Sequence, residues 1–110
     1  MRNPYFFVTF KNFDAKVGKI HPCFKEGYIK IGFSMYPLSS IEVIEFMDDV
    51  FAEEVFEIAR DPNVPQDIKA KKLKELLELP RDPSFVYALH TEDEFEVYFG
   101  YKEKSRLMRH

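Results

Sequence analysis

The amino-acid sequence predicts an α+β fold: a single domain with an antiparallel or mixed sheet of about four to five strands and two helices packed on one face. Three observations carry this reading. Stretches rich in β-branched and aromatic residues lie at both ends of the chain, two helical stretches bounded by prolines lie between them, and the element order reads β-β-β-α-α-β-β. The length of 110 residues suits one domain. Residues 1–104 read as that domain and 105–110 as a basic tail that frays.

The first strand is "PYFFVTFKNF", residues 4–13. Phe6, Val8 and Phe10 share one face, and Tyr5, Phe7 and Thr9 share the other, so both faces are apolar and the strand is expected to be interior or covered twice. "FDAK" reads as a turn. "VGKIHPCF" reads as a second strand whose Pro22 suits an edge or a bulge. Gly27 in "KEG" offers a positive φ for a short connection. "YIKIGFSMY" then alternates as a third strand, with Ile29, Ile31, Phe33 and Met35 inward and Tyr28 and Tyr36 outward.

A first helix is expected over residues 39–61. Ser39 with Glu42 matches a capping box, Leu38 with Val43 a hydrophobic staple, and Pro62 disfavours helical geometry at Asp61. On a helix, Val43, Ile44, Met47, Val50, Phe51, Val55 and Ile58 form the core face. A second helix is expected from residue 65 to about residue 79, ending before Pro80. "SFVYALH" and "EFEVYFGY" complete the chain as a hairpin joined by "TEDE".

Composition bounds the function. A chain that is 45% hydrophobic and 32% charged is globular rather than disordered, and 12 Phe with 6 Tyr can fill a small core. The net charge of −3 argues against a surface that tracks nucleic-acid backbone throughout. The single Cys23 forms no internal disulfide, and no set of cysteines makes a zinc site. There is no signal-peptide pattern and no apolar run long enough to span a bilayer, so the expectation is a cytoplasmic protein without a membrane partner.

The most informative stretch is residues 39–60, with seven carboxylates before the first base, Arg60. If it is helical, Glu42, Glu45, Asp49, Glu53 and Glu57 form one arc flanked by Phe46 and Phe56. No Lys or Arg at i+4 relieves these acids, which a helix tuned for stability alone would supply. A solvated helix face is the simplest account, and neutralisation by Lys69, Lys71, Lys72 and Lys74 of the second helix is another. The sharper one is an acidic surface with aromatic anchors that meets a basic partner. Tyr28, Tyr36 and Tyr98 offer an alternative binding face on the sheet. The four lysines of the second helix, with Lys102, Lys104, Arg106 and Arg109 of the tail, offer an alternative nucleic-acid surface.

Chemistry has little support. His21, Cys23 and His90 show no third orienting group, His21, His90, Glu92 and Asp93 lack a known ligand spacing, and the glycines form no phosphate loop. No catalytic residue, metal or cofactor is therefore assigned. The expected function is a non-catalytic protein-binding domain, an inhibitor or neutraliser of the immunity or phage counter-defence kind that occludes a basic site. A small nucleic-acid-binding regulator is the alternative, and a small hydrolase or nuclease comes after it. An uncovered strand edge would also leave homodimerisation open.

Overall fold

The computed structural model describes residues 4–101, so the tail beyond Tyr101, with its four basic residues and His110, lies outside the described residues. Seven strands and two helices follow in the order β1 (Tyr5–Phe10), β2 (Ala15–His21), β3 (Tyr28–Ile31), β4 (Ser34–Pro37), β5 (Ile41–Met47), α1 (Asp49–Arg60), α2 (Gln66–Leu77), β6 (Phe85–His90) and β7 (Phe95–Gly100). The class is α+β as expected, with more strands. All strand pairings are antiparallel.

The sheet forks at β2. One side of β2 pairs with β1, which pairs in turn with β5. On its other side, Ala15, Lys16 and Val17 pair with β7, while Ile20 and His21 pair with β3. Gly18 sits between these two partners, where a Cβ would lie 3.3 Å from the Gly32 backbone nitrogen. The β3–β4 hairpin therefore leaves the main sheet β5-β1-β2-β7-β6 and folds along one face of it. The helices take the opposite face.

Each face of β1 accordingly has its own core. Tyr5 and Phe7 join Val17, Val97 and Phe99 beneath Ala52, Val55 and Ala59 of α1 and Leu73 of α2. Val8 and Phe10 join Ile31, with Ile29, Tyr36, Ile41 and Tyr98 packed around them. The two-sided covering expected of this strand is present. A strand apolar on both faces can be buried on both only if something folds back over the sheet, and the β3–β4 hairpin does so.

A buried polar network ties that hairpin down. Lys16 Nζ, on a side chain 1% exposed, pairs with Glu96 Oε1 at 2.7 Å and donates to the Tyr36 hydroxyl at 2.7 Å. Glu96 also accepts from the Phe33 N–H at 3.0 Å, in the β3–β4 turn. Alongside, the Tyr98 hydroxyl donates to Asp14 Oδ2 at 3.0 Å. Burial first, and then the Asp14 carboxylate, push the Tyr98 hydroxyl well above the usual tyrosine range.

Two sequence expectations are corrected. Residues 28–36 form a hairpin, not one strand, because Gly32 takes φ +63° and reverses the chain. Ile31 is buried as expected, but Phe33 and Met35 are exposed. The first helix starts at Asp49, not Ser39: Leu38–Ser40 is a single 3-10 turn and Ile41–Met47 is a strand. The Ser39 capping box and the Leu38–Val43 staple do not form, and Ser40 Oγ donates instead to the Pro37 carbonyl. Ile41, Val43, Ile44 and Phe46 within seven residues favour the pleated conformation, and pairing along the whole of β1 outweighs a helical period. Val43 and Ile44 are consequently exposed, not core, and Val50, in the first turn of α1, is exposed as well.

The remaining helix expectations hold. Pro62 follows the end of α1, Pro65 precedes α2, and Glu78 ends α2 in the left-handed conformation with its N–H on the Lys74 carbonyl. The hairpin joined by "TEDE" forms as expected, with His90 opposite Phe95. Among the described residues no helix is long and apolar enough to cross a membrane.

Candidate functional site

β5 is an edge of the sheet. It pairs with β1 alone, and among the described residues no strand occupies its outer side. Such an edge presents a row of backbone donors and acceptors that can template another strand. Five consecutive residues, 42–46, are exposed, and Phe46 is the most open of the three apolar ones at 69%. Ile44 and Phe46 lie on the face of Val8 and Phe6, their register partners, and Phe46 meets Phe6 edge-on at 6.3 Å between centroids. Val43 and Glu45 lie on the helix-facing side, opposite Thr9 and Phe7. Glu42 sits at the irregularity between Thr9 and Phe10, a bulge that leaves it unpaired with β1.

The other two edges are guarded. On β6, the Gln66 side chain from α2 behaves as a short piece of strand. Its Nε2 donates to the Val86 carbonyl at 2.9 Å, and its Oε1 accepts from the Val86 N–H at 3.1 Å. β4 is four residues long and ends in Pro37. β5 has neither device, and its interior holds no Lys or Pro. Its guard is acidic: Glu42 and Glu45.

The C-terminal end of β5 leads to an acidic cleft. Met47 pairs with Tyr5, and Tyr5 lines a cavity of about 250 Å³ together with Asp49 and Glu53 of α1 and Glu92, Asp93 and Glu94 of the β6–β7 loop. Thr91 shapes this loop: its hydroxyl accepts from the Asp93 and Glu94 N–H groups, and its own N–H donates to the Glu94 carbonyl at 2.8 Å. Lys19 and His90 are the basic side chains on the rim. The Tyr5 hydroxyl reports the local field. Burial raises its pKa, and Glu94, Asp49 and Glu53 add to the rise, against a hydrogen bond from the Phe95 N–H.

The predicted acidic arc is thus divided. Glu42, Glu45 and Phe46 belong to β5, while Asp49, Glu53 and Glu57 belong to α1. Glu57 points away from the cleft group, pairing with Arg60 at 3.1 Å and sharing a separate shallow cavity with Asp61 and Lys72. Phe56 is no free anchor. It stacks on Phe95 at 4.4 Å and meets His90 edge-on, as part of the core. Sequence reasoning missed Glu94 and placed Glu92 and Asp93 only among metal-ligand candidates. The signal available was the acidic "TEDE" turn, whose position over α1 follows from the hairpin packing.

The alternative surfaces change as well. Tyr36 and Tyr98 do share a face, beside the exposed Tyr87, with Tyr87 and Tyr98 stacked at 5.8 Å. Tyr28 does not join them: it pairs with Pro37, one position out of phase with Tyr36, and lies under Lys25. Of the second-helix lysines, Lys69 is buried and its Nζ donates to the Ala59 carbonyl at the end of α1. Lys71 and Lys72 are exposed and Lys74 is half-buried.

The titratable groups considered for chemistry are spread out. His21 Nε2 contacts Glu94 at 2.8 Å, Cys23 Sγ lies 3.3 Å from Met35 Sδ, and His90 rests against Phe56. Among the described residues no group of three or more His, Cys, Asp or Glu could hold a metal ion. Comparison with protein-family models, curated proteins and solved structures finds no match for this chain.

Proposed function

We propose that this chain is a non-catalytic protein-binding domain that captures an extended, basic segment of a partner protein by strand addition along β5. The observation that supports this most is the contrast among its edges. Gln66 closes β6, β4 is short and proline-ended, and β5 is left open over five exposed residues.

The chemistry of β5 describes its ligand. Backbone hydrogen bonds along the edge supply affinity for any extended chain, and alternate side chains supply selectivity. Ile44 and Phe46 offer apolar contact on one face of the strand, and Glu45 offers charge on the other. Opposite-charge pairs across strands are worth about 0.2–1 kcal/mol each, so two glutamates select Lys or Arg modestly. The acidic cleft beyond Met47 extends the negative potential and speeds encounter with a basic partner. A basic segment held this way is occluded, and that is the sense in which the domain acts as an inhibitor or neutraliser.

A second copy of the chain is a poorer occupant. Antiparallel pairing centred on Ile44 would set Glu42 opposite Phe46 and Glu45 opposite Val43. The two copies would then bring four carboxylates to one junction with no cation from either β5. The test is a titration with two soluble extended peptides, one alternating Lys with Val and one alternating Glu with Val. The Lys peptide should bind, more weakly as salt rises, and the Glu peptide should not. Equal binding of the two, or none by either, would contradict the reading.

A further inference from the structure

The helices pack chiefly over β6 and β7, and the helix-facing side of β5 is left without a full cover. A hollow of about 250 Å³ lies there, between the C-terminal half of β5, the first turn of α1 and the last turn of α2. Its wall is of two kinds. Phe7, Phe51, Leu76 and Leu77 form the apolar part. Each packs against the main core yet is only partly buried, so the core fixes them in place while part of their surface stays open to the hollow.

Glu45, Asp48 and Glu78 form the other part, and all three are exposed. Glu45 comes from the strand edge, Asp48 from the junction of β5 with α1, and Glu78 from the left-handed end of α2. The Asp48 carboxylate stands at the start of α1 but makes no capping hydrogen bond to it. Among the described residues none of the three acids makes an ion pair, and no Lys, Arg or His lines the hollow.

Such a wall suits one kind of side chain. A long aliphatic stem can lie on the rings and leucines while its cationic head stays at the wet rim among the carboxylates. An acidic side chain would be repelled. A wholly apolar one would desolvate the acids without pairing them, and a short cation would leave the apolar wall uncovered. Position agrees with chemistry. Residues paired across neighbouring strands project from the same face, and the strands lie about 4.8 Å apart. A residue laid opposite Glu45 on the outer side of β5 therefore points to the helix-facing side, where a long side chain can turn back into the hollow.

We infer that this hollow is a specificity pocket for one lysine or arginine of the strand added to β5, and that it sets which residue of the partner lies opposite Glu45. The inference rests on the strand-addition reading and deepens it. Charge along β5 selects basic segments modestly, whereas the pocket selects a long cation at one position.

The test uses the full chain and three extended peptides that alternate Thr with Val and differ at one central Thr. That position carries Lys, norleucine (an apolar stem without the charge) or 2,4-diaminobutyrate (the amine on a shorter stem). The Lys peptide should bind about tenfold more tightly than either of the others. Glu45→Gln/Glu78→Gln alters only exposed side chains; it should bring the Lys peptide down to the level of the norleucine peptide and leave the latter's affinity unchanged. Residue-resolved amide exchange at saturating peptide separates this claim from strand addition itself, since all three peptides should protect amides within Ile41–Met47. Protection by all three with a Lys affinity no better than either other peptide would overturn the pocket and leave strand addition standing. So would a Lys preference that survives in the double variant. No protection of β5 by any peptide would overturn strand addition and the pocket with it.

Discussion

Lys16 Nζ lies 2.7 Å from Glu96 Oε1 with side chains 1% and 6% exposed, and this contact holds the β3–β4 hairpin to the sheet. Through Glu96 it reaches the Phe33 N–H, and through Lys16 it reaches the Tyr36 hydroxyl. A buried pair of this kind is costly to break from one side, because the surviving charge stays buried without compensation. Lys16→Met should therefore destabilise the domain by about 3–5 kcal/mol. The double variant Lys16→Met/Glu96→Gln keeps an acceptor for Phe33 and removes the stranded charge, so it should recover more than half of that loss. Urea unfolding of the two single variants and the double variant measures the coupling directly.

Gly32 and Gly27 both adopt positive φ, but their surroundings differ. A Cβ on Gly32 would come within 2.2 Å of Glu96 Oε1, whereas one on Gly27 would meet nothing within 4 Å. Gly27→Ala should cost about 1–2 kcal/mol, the backbone penalty alone. Gly32→Ala should cost more than about 3 kcal/mol, because it also displaces the buried carboxylate. Thermal unfolding of the pair separates backbone strain from the clash.

The Tyr98 hydroxyl has its pKa raised above its ordinary value of 10.0 by burial and then by Asp14. Its neutral form is thus the one the fold favours. That contribution is complete below pH 10 and is lost as pH rises from there toward the folded-state value, because the unfolded chain then binds fewer protons. Stability should fall more steeply above pH 10 in the native sequence than in Tyr98→Phe. The variant should itself cost about 1–3 kcal/mol at neutral pH by leaving Asp14 short of a donor. Unfolding free energies at a series of pH values from 8 upward test both statements.

Gln66 explains why the β6 edge is closed. Gln66→Ala should leave the buried Val86 N–H and carbonyl without their partners, at a cost of about 1–3 kcal/mol. It should also expose a second template edge, visible as concentration-dependent association in sedimentation experiments.

The parts of the fold that were legible in the sequence are those set by local chemistry. Pro62 and Pro65 mark the helix boundary, "TEDE" marks a hairpin turn, and the apolar faces of β1 announce burial on both sides. Residues 41–47 were misread because "IEVIEFM" satisfies both periods over so short a span. Only the long-range pairing with β1 decides between them, and it moves Glu42, Glu45 and Phe46 from a helix face to a sheet edge. The "YIKIGFSMY" stretch failed for a related reason. A single glycine inside an alternating run can reverse the chain, and Glu96, distant in sequence, is what holds that turn. The Gln66–Val86 clasp and the partnering of Lys16 with Glu96 join residues far apart in the chain and carry no sequence signal of their own.

In the proposed function, β5 is the open edge on which a partner strand is laid. Amide hydrogen exchange, followed residue by residue with and without the Lys–Val peptide, tests it most directly. New protection is expected only at amides within Ile41–Met47, and it should be lost when Phe46→Lys places a cation on the strand. Protection that instead appears along Phe85–His90 or on the second helix, with β5 unchanged, would contradict it.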